Sequence, residues 1–262
     1  MIMKRIFISL TLLAVALSGT INAKCCYESR DYPFYIKIGS GISCSDSANI
    51  VAPPPTWNPA VQGYNSTLGN RAIADVSIGC ELVHLVDLEV SISNRSTFTY
   101  RKFQTPTTGG GSYTREFDLD VTPILFSVNF LGRGIPHLNW NISCGKIYPV
   151  VGAGVGVSNL LITNFRTTGL PPSGASAPHA SFSAENQYTL RKNFTYTALV
   201  GLEYSYKDYW AIGTGYRWFD AGNFEGPRFQ RVASGAAVDV AGEEWKMRFR
   251  SNEWFIELKI FI

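Results

Sequence analysis

The run Phe194-Thr195-Tyr196-Thr197-Ala198-Leu199-Val200-Gly201-Leu202-Glu203-Tyr204-Ser205 and the run Trp210-Ala211-Ile212-Gly213-Thr214-Gly215-Tyr216-Arg217-Trp218 stand almost back to back, and together they decide the fold. In the first, Phe194, Tyr196, Ala198, Val200, Leu202 and Tyr204 share one parity. Thr195, Thr197, Gly201, Glu203 and Ser205 share the other, with Leu199 the exception. In the second, Trp210, Ile212, Thr214, Tyr216 and Trp218 oppose Ala211, Gly213, Gly215 and Arg217. A period of two is the side-chain period of a β-strand with two unlike faces. The gap at 207–208 makes the pair a hairpin.

The same alternation recurs upstream. Val86, Leu88, Val90 and Ile92 oppose Asp87, Glu89, Ser91 and Ser93; Ala72, Ala74, Val76 and Ile78 oppose Asp75, Ser77 and Gly79. Eight such segments are expected, near 33–42, 70–80, 85–100, 115–130, 147–161, 190–206, 209–220 and 246–262. The gaps between them alternate between long (43–69, 101–114, 162–189, 221–245) and shorter (81–84, 131–146, 207–208). Pro53-Pro54-Pro55, Gly109-Gly110-Gly111 and Pro171-Pro172-Ser173-Gly174 mark the long gaps as loops. A soluble sandwich has no need of that rhythm. A barrel threaded up and down through a membrane has short turns on one rim and long loops on the other, and closure satisfies every backbone group in lipid. The expected fold is all-β, an eight-stranded antiparallel up-and-down transmembrane β-barrel.

Composition agrees. The chain has 262 residues, 45% hydrophobic, 13% aromatic and only 16% charged, which excludes intrinsic disorder. Lys and Arg number 23 against 20 Asp and Glu, a net charge of +3 that offers no field for nucleic acid. Residues 1–23 read as a signal peptide: Lys4 and Arg5, then the apolar core Ile6 to Leu17, then small and polar residues ending at Ala23. Lys24 before Cys25 speaks against a lipoprotein site. The mature domain is expected to be 24–262, a single outer-membrane barrel in an oxidising compartment.

The parity of the strands assigns their faces. Phe34, Tyr100, Tyr204, Trp210, Trp218 and Trp254 are expected outward as aromatic girdles. Lys37, Asp75, Asp87, Glu89, Asp118, Asp120, Glu203, Arg217, Glu257 and Lys259 are expected inward, pairing across a lumen that side chains can fill. Within that set, Lys37, Asp75, Glu89, Glu203, Arg217, Glu257 and Lys259 form the candidate charge network, either a plug or a narrow ion path. Pro123 and Ser251-Asn252 interrupt the alternation, and a bulge at either would turn Asp118, Asp120 or Arg250 to the other face. Gly39, Gly152, Gly154, Gly156, Gly201 and Gly213 make room inside. Gly152 to Gly156 lack the frame of a dinucleotide loop, and His84, His137 and His179 lack metal or catalytic spacing, so neither a cofactor nor an enzyme is expected.

Cys25, Cys26, Cys80 and Cys144 fall on the periplasmic rim and Cys44 on the other. A periplasmic disulfide joining Cys144 to Cys80, or to the Cys25–Cys26 pair, is expected, with an odd thiol left over.

Phe34-Tyr35-Ile36-Lys37-Ile38-Gly39-Ser40-Gly41, Asp118-Leu119-Asp120-Val121-Thr122-Pro123 with Tyr148-Pro149-Val150-Val151-Gly152-Ala153-Gly154-Val155-Gly156, Gly201-Leu202-Glu203-Tyr204 and Gly215-Tyr216-Arg217-Trp218 resemble the strands of small outer-membrane barrels of the OmpA/OmpX/opacity-protein type. The resemblance implies a bacterial outer-membrane location, insertion by the barrel assembly machinery, contact with lipid and lipopolysaccharide, and loops acting as adhesins or antigens toward host or matrix molecules. It departs from the family at its end, where Ile262 stands in place of the usual terminal aromatic. A narrow porin-like channel is the alternative function, and a lipid-modifying barrel enzyme a distant third.

Overall fold

The computed structural model describes residues 34–52, 65–104, 112–170, 181–184, 188–207, 209–226, 229–231, 237–239 and 246–262. The segment 1–23, the Pro53, Gly109 and Pro171 clusters, and His179 therefore lie outside the described residues. Eight long strands carry the fold: β1 (Phe34–Ser45), β2 (Asn70–Val83), β3 (Val86–Gln104), β4 (Ser112–Leu131), β5 (Gly145–Leu170), β6 (Tyr188–Tyr206), β7 (Trp210–Glu225) and β8 (Lys246–Phe261). Each pairs antiparallel with the next, and β8 pairs with β1 to close the barrel.

The register gives the barrel its dimensions. Stepping from partner to partner, Tyr35 leads through Gly79, Glu89, Ser127, Gly154, Thr197, Phe219 and Ser251 back to β1 at Ser45, ten residues from the start. Eight strands sheared by ten residues, at the usual rise and strand spacing, tilt by about 40° and run about 8 Å from the axis. Lysine and arginine side chains from opposite walls meet across that distance, so the interior is filled rather than hollow.

The strands are longer than their sequence patterns indicate, and the excess lies at the loop end. β3 continues to Gln104, β4 begins at Ser112, β5 reaches Leu170 and β7 reaches Glu225. The edges of what reads as loop in 101–114, 162–189 and 221–245 are thus barrel wall. In the first long gap, Ser47–Ala52 pairs with Asn65–Thr67.

The wall has two zones of opposite polarity. In the lower zone Ile124, Phe126 and Phe130 of β4 face out, while Ser127 and Asn129 face in, with Asn129 buried. In the upper zone the parity is unchanged but the chemistry inverts: Phe117, Leu119 and Val121 are buried inside, and Asp118 and Asp120 face out. This corrects the expectation that Asp118 and Asp120 line the lumen. Asp118 instead accepts a hydrogen bond from Asn164 (2.7 Å) and Asp120 one from Thr97 (2.6 Å) on the outer wall. The physical reason is the solvent: beside lipid the apolar face must point out, and above it that face must point in.

Tyr100 is a second correction. A bulge between Arg95 and Phe98 inserts one residue into β3, which turns Phe98 and Tyr100 into the interior. No register shift occurs at Pro123 or at Ser251-Asn252, where pairing with Ser158 and with Ser45 and Cys44 continues. Between the eight long strands the shifts lie instead at Glu81/Val83, Arg95/Phe98, Glu116/Asp118 and Asp220/Gly222.

Two aromatic girdles bound the lower zone. Tyr204, Tyr206 and Trp210 cluster at the turn end, with ring centroids 5.2 and 6.0 Å apart. Tyr196 with Trp218, and Tyr216 with Trp254, form the upper girdle, each pair at 5.4 Å. On β7 the girdles are eight residues apart, from Trp210 to Trp218, or about 20 Å along the axis at that tilt. Between them the outer wall exposes Ile38, Ile78, Val90, Val155, Val200, Leu202, Ile212 and Ile256, among others. That is the apolar band of a transmembrane barrel.

Candidate functional site

The interior of the lower zone is a stack of ion-paired layers. At the turn end, Lys259 Nζ lies 3.2 Å from Asp87 and 3.0 Å from Glu203, and sits 4.4 Å from the centre of the Tyr35 ring. Tyr148 donates its hydroxyl to Glu203, and Asn129 donates to Asp87 at 2.7 Å. Below, Arg133 pairs with Glu81 at 2.5 Å. One layer up, Lys37 bridges Glu89 (2.5 Å) and Glu257 (3.1 Å), and Tyr35 donates to Glu89 at 3.2 Å. Higher still, Arg217 binds Asp75 through Nη1 (3.1 Å) and Glu253 through Nε (2.7 Å). Arg95 binds Glu253 at 2.6 Å, and Ser43 and Ser251 donate to the same carboxylate. Both Arg95 and Glu253 are fully buried.

The seven residues singled out from the sequence, Lys37, Asp75, Glu89, Glu203, Arg217, Glu257 and Lys259, all take part in these stacked interior ion pairs. Sequence reasoning passed over Arg95, Glu253, Tyr35 and Tyr148. Glu253 shares its parity with Glu257 and Lys259, so the signal for it was present. Arg95 likewise shares the inward parity of Glu89, Ser91 and Ser93, since the bulge in β3 begins only after it.

The inward glycines set how tightly the network fits. A Cβ at Gly39 would stand 2.8 Å from the Asp75 carboxylate, and one at Gly213 2.9 Å from Glu257. At Gly79 it would enter the Tyr35 ring.

A lid of aromatic and aliphatic side chains covers the network on the loop side. Arg95 marks the junction, its guanidinium 3.8 Å from the centre of the Phe219 ring. Above it Phe98, Tyr100, Phe117, Leu119, Leu160, Phe165, Phe224 and Phe249 form one buried cluster. Tyr100 stacks on Phe117 at 4.8 Å, and Phe98 meets Phe249 edge-on at 5.1 Å. Arg95 Nη2, Arg217 Nη2 and Ser77 Oγ have no hydrogen-bond partner among the described residues. They mark positions that ordered water would satisfy.

Cys80 and Cys144 are unpaired, as is Cys44. Cys80 lies on the outer parity of β2 and Cys144 in the turn before β5, with β3 and β4 between the two strands. The expected Cys80–Cys144 bridge is therefore not formed, and Cys25 and Cys26 lie outside the described residues. Among the described residues no cluster of His, Cys, Asp and Glu is arranged to hold a metal.

Closed eight-strand pairing, an apolar outer band between aromatic girdles and a polar filled interior define an outer-membrane-type β-barrel. The chain is similar in fold to several solved barrels. Neisserial surface protein A matches at 12% identity over 87% of this chain and 97% of its own, with a TM-score of 0.43. The outer membrane protein OprG of Pseudomonas aeruginosa matches at 12% over 88% and 97%, with a TM-score of 0.45. The outer membrane protease OmpT of Escherichia coli matches at 9% over 91% and 100%, also with a TM-score of 0.45. No family model and no curated protein sequence matches.

Proposed function

We propose that the protein is a non-enzymatic anchor and display scaffold of the bacterial outer membrane, exported by residues 1–23 with cleavage after Ala23. In this reading it is inserted by the barrel assembly machinery, held by lipid and lipopolysaccharide, and exposes its long connections to host or matrix molecules as an adhesin or antigen. The observation that carries the reading is the double seal: an ion-paired network capped by the buried cluster around Phe117. A barrel built to conduct needs a water-filled path past its constriction, whereas here both zones are occupied by side chains.

The test is single-channel conductance of refolded protein in a planar bilayer. Folding is verified beforehand by the migration difference between boiled and unboiled samples. Silence from inserted protein, with binding to cells or matrix lost on exchanging the loops, is the expected result. Discrete steps that change in Arg217→Gln or Glu203→Gln would establish the channel instead. That second reading has one observation in its favour, the succession of charged layers from Glu81 up to Arg95.

A further inference from the structure

Immediately above the upper girdle, the outer wall of β6 to β8 carries a group of cations that the interior does not use. On β8, Lys246, Arg248 and Arg250 occupy alternate outward positions, so they rise in a column at steps of about 7 Å. Arg248 and Arg250 share a single carboxylate, Asp220, at 2.7 and 2.8 Å. Lys246 and Arg191 share Glu225, at 3.2 and 2.8 Å. Lys192 is exposed and makes no ion pair among the described residues. Asp46, hydrogen-bonded by Asn252 at 2.6 Å, is the third carboxylate of the arc. Among the described residues, Lys192, Lys246, Arg248 and Arg250 hold outward positions and Arg191 reaches Glu225 from the other parity of β6, so that five cations face three carboxylates.

The arrangement is pre-organised. Asp220 is fully buried and receives the Gly222 N–H at 2.8 Å as well as both arginines. Arg248 also donates to the Tyr196 hydroxyl at 2.7 Å. Arg250 uses Nε on Asp220, and its terminal nitrogens have no partner among the described residues. Its side chain is 39% exposed and that of Arg248 36%. Tyr196 and Trp218 form the floor, and below them Tyr216 and Trp254 begin the lipid-facing wall. The opposite arc differs: there Asp118, Asp120 and Glu116 face out, and Arg101 pairs with Glu116 at 2.7 Å.

We propose that this face is a binding site for a phosphorylated lipid of the outer leaflet. Its phosphate would sit on Arg248 and Arg250, flanked by Lys246 and Lys192, and its acyl chains would run down over Trp218, Tyr216 and Trp254. Planar guanidiniums held by a carboxylate offer a fork to a phosphate. An aromatic floor at the edge of the apolar band belongs to the headgroup level. The site rests on the membrane placement proposed above.

The experiment is native mass spectrometry of the full refolded chain, with purified lipid A as probe and dephosphorylated lipid A alongside. Lipid A is expected to be retained at least about tenfold better than its dephosphorylated form. Arg248→Gln/Arg250→Gln should remove that preference, Arg248→Lys/Arg250→Lys should keep part of it, and Arg101→Gln should leave it intact. Equal retention of the two lipids, no effect of the double variant, or an equal loss in Arg101→Gln overturns the proposal. Displacement of lipid A by excess inorganic phosphate overturns the commitment to lipid in favour of a soluble anion. Arg250→Gln alone serves if the double variant lacks the gel shift of folded protein. Failure of the wild type to insert into vesicles would sink the membrane placement itself, an outcome separate from loss of the phosphate preference in inserted protein.

Discussion

Replacing Glu253 by Ala tests the sealed interior more directly than any other change. Its carboxylate holds Arg95 at 2.6 Å and Arg217 at 2.7 Å, with two serine hydroxyls completing its coordination. Removing it leaves two buried guanidiniums facing one remaining carboxylate, Asp75. Each lost charge-assisted hydrogen bond is worth about 1.5–3 kcal/mol, and breaking a buried pair costs about 3–5 kcal/mol in all. In a water-filled channel the same pairs are screened and the loss falls to about 1 kcal/mol or less. The magnitude therefore discriminates plug from pore. The assay is reversible urea unfolding of the protein in vesicles, followed by tryptophan fluorescence. Arg101→Gln, whose side chain is 75% exposed, supplies the scale for a surface pair at under about 1 kcal/mol. Glu253→Gln keeps the volume and one acceptor and should fall between the two. If Glu253→Ala destabilises no more than Arg101→Gln, the interior is hydrated and the sealed-barrel reasoning is wrong.

Other changes probe other layers. Phe117→Ala, at the centre of the upper cluster, should cost about 3–5 kcal/mol in the same titration. Gly213→Leu would push into Glu257 and should cost about 1–3 kcal/mol by overpacking. Burial pushes the Asp220 carboxyl up, but hydrogen bonds from Arg248, the Gly222 N–H and Arg250 outweigh it and hold it below the usual carboxylate range. Its stabilisation is then fully present above the unfolded value near about 3.9 and is lost as pH falls through the lower folded value. Unfolding midpoints measured from neutral to acid pH should lose this component in Asp220→Asn.

The lower zone was legible in the sequence because lipid and lumen impose opposite chemistry on alternate residues. On β8, Trp254, Ile256, Leu258 and Ile260 fall outward, while Glu253, Glu257 and Lys259 fall inward. The upper zone was not legible in the same way. There the rule that polar residues point inward reverses, and Asp118 and Asp120 read as lumen residues although their parity matches that of lipid-facing Ile124 and Phe126. Parity was the sounder guide, since the side-chain period survives a change of solvent. At Tyr100 parity itself failed, because a bulge leaves no local mark in composition: Ser96-Thr97 reads as ordinary strand. The partners in the ion-pair network were hidden for a different reason. Lys37 meets Glu257 and Arg217 meets Asp75 only after the barrel closes, and closure depends on a shear that no single segment encodes.

The bulge in β3 can be examined by removing one residue. Pairing runs from Arg95 opposite Val121 to Phe98 opposite Leu119, three steps on one strand against two on the other. Deleting Ser96 therefore leaves Thr97 outward and keeps Phe98 and Tyr100 inward, with every pair above the deletion preserved. The losses are local, such as the bond from Arg71 Nε to the Thr97 carbonyl at 2.6 Å, and the cost should stay near about 1 kcal/mol. Deleting Thr99 has no such escape. With the bulge kept, Tyr100 turns outward; with the bulge healed, Tyr100 stays inside but Phe98 leaves the cluster and Thr97 replaces it. Either way a fully buried ring is lost, at about 3–5 kcal/mol. The two deletions remove residues of similar size three positions apart, so composition and chain length do not distinguish them. Urea midpoints that fall equally for both would show that the upper cluster does not depend on the bulge, and the inverted polarity of the upper wall would need another cause.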